Sequence, residues 1–282
     1  MHLKKLFVIM FVSIVFAGCD AQDEYATERE YYRVQKQAGR IMANPDATPP
    51  MELKRTVDAL ESFAVRHPNT NVAVDAQFTV ARLYVAVKDH PKAHEELIKI
   101  DTAYARVGAI SSEAAYMRAL VYEDEGDWGS ALKQYQVLIK SYPRTPRGLE
   151  APLRIAMRYK SKFQPDKMMS ALREALTHYQ NLALQDPGTP LALQARVLIA
   201  QSYSELNEWK DAVSTLESIV KDFKGKVRTD QFMLDIAGIY TKHLKDPDAA
   251  RVVLNKVIQG SSEKRAKEAA QTMLTQLEKD SQ

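Results

Sequence analysis

Small and apolar residues recur along this chain on a ruler that is clearest between Ala119 and Pro143. Ala119 and Tyr122 stand three apart, on one face of a helix, and Gly126-Asp127 turns the chain. Ala131, Tyr135 and Leu138 then line one face of a second helix, which Pro143 stops. The same intervals return at Ala81, Tyr84, Ala93, Leu97 and Ile100, and at Ala200, Tyr203, Ala212, Leu216 and Ile219. Ala237, Tyr240, Ala250 and Leu254 repeat them with one extra residue in the turn. A fifth copy opens at Ala156 and Tyr159 but takes sixteen residues instead of nine to reach Ala175, followed by Tyr179, Leu182 and Pro187. Seven inserted residues are close to two helical turns, so a longer helix pair in the same register is predicted around residues 146–187.

The opening alanines, at 81, 119, 156, 200 and 237, keep a step of 37 or 38 residues apart from the one that holds the insertion. The boundaries repeat as well: HPNT at 67–70, YPRTP at 142–146 and DPGTP at 186–190. In each, a threonine two residues after the proline is placed to cap the next helix, and Pro146 and Pro190 suit a first helical position. A pair of antiparallel helices this short cannot bury its own apolar face and needs neighbours, so the pattern predicts a stacked repeat array over 68–260. No strand-like alternation appears, and the fold class is all-α.

The ends of the array are less regular. Tyr31, Tyr32, Val34 and Ile41 suit a first helix beginning by about Glu24, NPDATPP at 44–50 breaks it, and Met51 to His67 forms a second. Residues 24–67 therefore form a degenerate N-terminal unit. Asp101 to Ile110 is the least regular junction, without proline, and Gly225 in FKGKVR ends a helix. From Ser261, an apolar stripe of Ala266, Ala269, Ala270, Met273, Leu274 and Leu277 predicts a capping helix over 261–282.

Ala119, Tyr122, Gly126, Ala131, Tyr135 and Pro143 resemble the tetratricopeptide repeat (TPR). The Trp and Leu of that family's first helix are absent, Ala115 and Arg118 standing there, and Lys88 and Asn207 replace Gly126 in other copies. Long repeats with a YP-x-(S/T)-P junction are similar to the TPR-like modules of bacterial envelope lipoproteins, including the outer-membrane assembly lipoproteins of the BamD type. The resemblance implies a right-handed α-solenoid whose first helices line a concave groove for a partner peptide. The groove positions it designates are Arg82, Leu120, Met157, Gln201 and Gly238, then Val85, Glu123, Lys160, Ser204 and Thr241. An exposed helix face without a ligand is the alternative for any one of them.

At the N-terminus Lys4 and Lys5 precede an apolar run from Leu6 to Phe16, then Ala17-Gly18-Cys19. A charged start, a short apolar core and small residues before a break describe a secretory signal over 1–18. FAGC resembles the bacterial lipobox, with Phe16 in place of the usual Leu, and Cys19 is the only cysteine of the chain. The resemblance implies cleavage before Cys19, lipidation of its thiol and amine, and a short tether over 19–23. It also implies a chain facing the periplasm from a membrane. The family favours the outer membrane; Asp20, the residue after the cysteine, favours the inner one in enterobacteria.

Composition narrows the function further. Lys and Arg number 39 against 36 Asp and Glu, and removal of the signal takes Lys4 and Lys5 with it. That balance argues against nucleic acid as a partner. No catalytic fingerprint is present, no thiol nucleophile exists beyond Cys19, and no cofactor is implied. His90 and His94 have a metal-ligand spacing, but with Pro91 between them at a turn they are not expected to share a helix face. Glu123, Asp124, Glu125 and Asp127 are expected to be solvated at a helix turn, and the five repeated tyrosines to be core. The expectation is a non-enzymatic scaffold that binds envelope proteins, with outer-membrane protein assembly the leading process. An adaptor in a secretion, polysaccharide-export or cell-division complex at the inner membrane is the main alternative. A substrate-holding enzyme or transport component and a self-associating structural protein are two more.

Overall fold

The computed structural model describes residues 25–68 and 70–280. It is all-α, of the α-solenoid class, with no β-strand among the described residues. The signal, Cys19, Asp20 and the tether lie outside those residues. The run expected as a single array divides into two compact units, one ending at Leu138 and the other beginning at Ile139, inside a helix.

The first unit holds α1 (25–43), α2 (Pro50–Arg66), α3 (Asn71–Ala86), α4 (His90–Ala103), α5 (Gly108–Glu125) and the start of α6 (Trp128–Ser141). The second holds the end of α6, then α7 (Pro146–Ser161), α8 (Pro165–Gln185), α9 (Pro190–Glu205), α10 (Trp209–Asp222), α11 (Asp230–Ile239), α12 (Pro247–Gly260) and α13 (Lys264–Asp280).

The junction threonines act as their spacing implies. Thr70, Thr145 and Thr189 each accept a backbone N–H of the next helix, from Ala73, Gly148 and Ala192. Each also donates its hydroxyl back to the carbonyl three residues earlier, at 2.8–2.9 Å. One side chain thus satisfies an orphan donor and fixes the entry angle of the chain.

The turns inside the pairs are equally regular. Lys88, Gly126, Phe163, Asn207 and Lys245 all adopt positive φ, between 54° and 81°. The next residue's N–H then closes onto a tyrosine carbonyl: Asp89 to Tyr84, Asp127 to Tyr122, Gln164 to Tyr159 and Glu208 to Tyr203. This is a Schellman closure, which satisfies a carbonyl at the helix end. In the last pair the extra residue is taken up as a π-helical turn over Tyr240–Leu244, and Asp246 closes onto Tyr240 instead.

The alanines mark where helices touch. Ala81, Ala93, Ala119, Ala131, Ala156, Ala212, Ala237 and Ala250 are fully buried. Between them lie Leu60, Phe63, Leu83, Leu97, Tyr135, Leu138, Tyr179, Ile219 and Leu254, each fully buried and contributing roughly 1.5–3 kcal/mol. The repeated tyrosines expected in this core stand at its edge, Tyr84 and Tyr240 packing against buried clusters on either side. Tyr84, Tyr122, Tyr159, Tyr203 and Tyr240 are half-buried, each standing at the end of a first helix. The buried tyrosines are Tyr135 and Tyr179 on second helices and Tyr31 and Tyr116 on first helices.

The inserted repeat also differs from expectation. It is not a longer pair but one longer helix: α7 has 16 residues, as α3 and α9 do. α8 has 21 against 14 in α4, α6, α10 and α12. The path from Tyr159 through the turn to Pro165 matches the other pairs, so the insertion falls wholly after the turn. The α8 core face then begins at Ala171 and Leu172.

Candidate functional site

In the second unit α7, α9 and α11 together enclose a groove of about 440 Å³. It is lined by Pro146, Leu149 and Glu150 of α7, by Leu193, Gln194, Val197 and Leu198 of α9, and by Phe232 of α11. The α9 positions repeat at helical spacing and so present one face. The walls are held from behind. The buried Tyr179 hydroxyl donates to the Leu149 carbonyl at 2.7 Å, and burial pushes that phenol well above its ordinary range. On α9, Arg196 pairs with Asp222 at 2.6 Å and lies 5.8 Å from the Phe223 ring. Glu150 at the groove is paired with Arg147 at 2.7 Å. A mostly apolar trough with a few polar groups suits an apolar segment of another chain, and lacks the convergent acid and base of a catalytic site.

A larger cavity, about 620 Å³, lies in the first unit and is lined by residues of α1 and α2, among them Arg33, Val34, Met51, Glu52 and Arg55. It is formed by a single helix pair and crossed by the Gln37–Glu52 hydrogen bond. The α7–α9–α11 groove is the better candidate because the same helix of three successive pairs builds it.

The positions designated from the sequence fall elsewhere on the first helices. Arg82 donates to Asp75 at 2.6 Å and to Thr79 at 2.8 Å, beside the Tyr31 hydroxyl that also reaches Asp75. Glu123 accepts the Tyr135 hydroxyl at 2.7 Å, Lys160 pairs with Glu205 at 2.6 Å, and Ser204 donates to the Ala200 carbonyl at 3.0 Å. Val85, Leu120 and Met157 are half-buried, and Gln201 is exposed. Thr241 donates to the Ala237 carbonyl at 2.8 Å. Five of the ten thus have partners within the chain, and none lines the groove. The groove residues sit two to seven positions before Ala200 on α9.

The histidines near the first turn differ from expectation. His90 and His94 both lie in α4 and on one face of it, because Pro91 occupies the first turn, where its missing N–H costs nothing. His90 Nε2 is 2.7 Å from Asp124 and His94 Nε2 is 3.3 Å from Glu125. Lys88 also reaches Asp124, at 2.7 Å, and with His90 holds that carboxyl below its usual range. Asp127 caps α6 by accepting the Ser130 N–H at 3.0 Å. Asp124, Glu125 and Asp127 are exposed at the turn, as expected, and also make these surface contacts. Among the described residues, no group of three or more potential ligands is arranged to hold a metal. No helix among them is long and apolar enough to cross a membrane.

The fold and groove define a class: an α-solenoid of helix-pair repeats, the architecture of protein-interaction scaffolds. The tetratricopeptide-repeat family pattern matches residues 113–145 and 194–225, so the chain carries TPR repeats at both places. A comparison with curated proteins finds no match. Among solved structures, BtubC (BKLC) from P. vanneervenii aligns at 16% identity and a TM-score of 0.47, covering 84% of this chain and 92% of its own. A tetratricopeptide repeat protein from Parabacteroides merdae aligns at 12% identity and a TM-score of 0.41, covering 89% and 93%.

Proposed function

We propose that this chain is a lipid-anchored scaffold of the bacterial cell envelope that holds a peptide, loop or helix of another envelope protein in the α7–α9–α11 groove. The observation that carries the reading is the apolar lining of that groove, where Leu193, Val197, Leu198 and Phe232 form a trough; Leu193, Val197 and Phe232 pack against the core below and stay only half-buried. Attachment through Cys19 confines the search for a partner to a membrane surface, which raises its effective concentration. The residues before Cys19 support an envelope location facing the periplasm, and the junction pattern supports a role in outer-membrane protein assembly. Asp20 favours a second reading, an adaptor at the inner membrane in a secretion, polysaccharide-export or cell-division complex. In either case the protein acts by binding and not by catalysis.

In-cell crosslinking of the tagged full-length protein, followed by mass spectrometry, separates the two. A β-barrel assembly factor among the adducts supports the assembly scaffold; an inner-membrane exporter or division protein supports the adaptor. Cys19→Ser is expected to abolish lipid labelling and to release the protein from the membrane fraction. Normal processing with an unchanged membrane fraction would refute the anchor.

A further inference from the structure

The seven residues that lengthen α8 add Ala171 and Leu172 to the core but leave the α7–α8 tip outside it. Residues 161–170, at the α7–α8 tip, are exposed apart from half-buried Met168. At that tip stands Phe163, 92% exposed, with Met169 50% exposed in the turn that follows. Phe163 holds a left-handed backbone, φ 54°, at the position where the other pairs have Lys, Gly, Asn and Lys. A bulky residue is disfavoured there, since its Cβ crowds the following carbonyl. Its ring gains no packing inside the fold to offset this.

The exposed charges around Phe163 are Lys162 and Lys167 with one carboxylate, Asp166, between them in sequence, a net positive tip. Lys160 and Arg173 are engaged by Glu205 and Glu208, which leaves exposed Lys162 and Lys167 without a carboxylate across the pair. The Lys167 Nζ lies 5.8 Å from the centroid of the Tyr159 ring, at the same end of the helix pair as Phe163. A projecting aromatic ring with a methionine beside it and two lysines flanking it has the composition of an interfacial membrane contact. The ring and thioether enter the headgroup boundary, and the ammonium groups meet anionic phosphates.

We infer that the α7–α8 tip is a second, peripheral membrane contact that docks on an anionic phospholipid surface through Phe163 and Met169, with Lys162 and Lys167 facing the headgroups. This contact is independent of Cys19 and of the protein-binding groove.

The test uses full-length lipidated protein in phosphatidylcholine vesicles, with and without phosphatidylglycerol, each carrying a lipid-borne spin quencher. A fluorophore is placed on Gln164→Cys, beside the intact Phe163, or on Lys210→Cys, at the equivalent end of the next pair. The expected result is several-fold stronger quenching at 164 than at 210 when phosphatidylglycerol is present. The difference should be lost in phosphatidylcholine alone and lost when Phe163→Ser is added. Circular dichroism of the Phe163→Ser protein should be unchanged. Equal quenching at 164 and 210, or quenching at 164 that ignores phosphatidylglycerol, would overturn the proposal. So would a disulfide between two unlabelled Gln164→Cys chains in place of quenching, which would assign the tip to contact between copies.

Discussion

Gly148, the third residue of α7, offers a severe test of how the junctions work. A Cβ built on it would stand 1.9 Å from the Tyr142 carbonyl oxygen, 2.7 Å from the Tyr142 carbonyl carbon and 3.0 Å from Pro143 Cα. All three are backbone atoms, so no rotamer change relieves the contact. Reaching an ordinary carbon–oxygen separation of about 3.3 Å requires the junction to move by more than about 1 Å. That motion pulls apart the Thr145 bridge, which joins the Gly148 N–H at 3.1 Å to the Tyr142 carbonyl at 2.9 Å. Overpacking costs about 1–3 kcal/mol and loss of the cap about 1 kcal/mol. The better helix propensity of alanine returns at most about 1 kcal/mol. Gly148→Ala is therefore expected to destabilise the protein by about 2–3 kcal/mol, a fall in melting temperature of roughly 4–12 °C for a chain of this size.

Gly129, the second residue of α6, is the control. A Cβ there meets only the Asp127 Oδ1 atom at 3.4 Å, an ordinary contact. Gly129→Ala should leave stability unchanged or raise it by up to about 1 kcal/mol. Both variants are compared with the parent by urea unfolding, followed by circular dichroism and by the fluorescence of Trp128 and Trp209. If Gly148→Ala lies within about 0.5 kcal/mol of the parent, or moves with Gly129→Ala, the junction is not the rigid element described here.

Three further outcomes are expected. Tyr179→Phe removes the buried hydroxyl that binds the Leu149 carbonyl and should lower the unfolding free energy by about 1 kcal/mol, read by urea denaturation. Thr189→Ala should cost about 1 kcal/mol through loss of the α9 cap, while Thr189→Ser, which keeps the hydroxyl, should restore most of it in the same assay. Burial holds the His178 imidazole below its ordinary value of 6.5, and its Nε2 has no hydrogen-bond partner. The unfolded chain therefore takes up a proton at this residue as pH falls past 6.5, before the folded chain does. Stability present above that pH is lost on the way down to the folded value. His178→Leu should flatten that part of a melting-temperature profile against pH, and an unchanged profile would contradict the assignment.

The helix pairs, their turns and their threonine caps were legible because each depends on local chemistry at fixed spacing. The intervals from alanine to tyrosine to alanine state where helices touch, and Thr145 and Thr189 follow their prolines at a capping distance. Tertiary facts were less legible. The half-burial of the repeated tyrosines depends on their place at a helix end, where the carbonyl and not the ring does the fixed work. The shared face of His90 and His94 was hidden because Pro91 reads as a helix breaker, whereas it stands in the first turn of the helix. Gly148 carries no sequence mark of its close approach to Tyr142, which only the folded junction creates.

The groove does have a signal in the sequence. In PLALQARVLIAQSYSE of α9, Leu193, Val197 and Leu198 are apolar in addition to the buried Ala192, Ala195, Ile199 and Ala200. A helix apolar on more than one face requires a second apolar neighbour. Positions carried over from the repeat family pointed instead to the later part of each first helix, where Arg82, Glu123 and Lys160 are occupied by partners of their own.

The most direct test of the scaffold reading is site-specific photo-crosslinking in cells, with a photoreactive side chain at exposed Gln194 in the groove or at exposed Lys210 outside it. The account expects a discrete protein adduct from position 194 and none from 210. That adduct should disappear when Leu198→Lys places a charge in the trough, a change that a half-buried site can accept by extending the lysine stem to solvent. An adduct that survives Leu198→Lys, or one that forms equally at 210, would contradict the claim that this groove holds the partner.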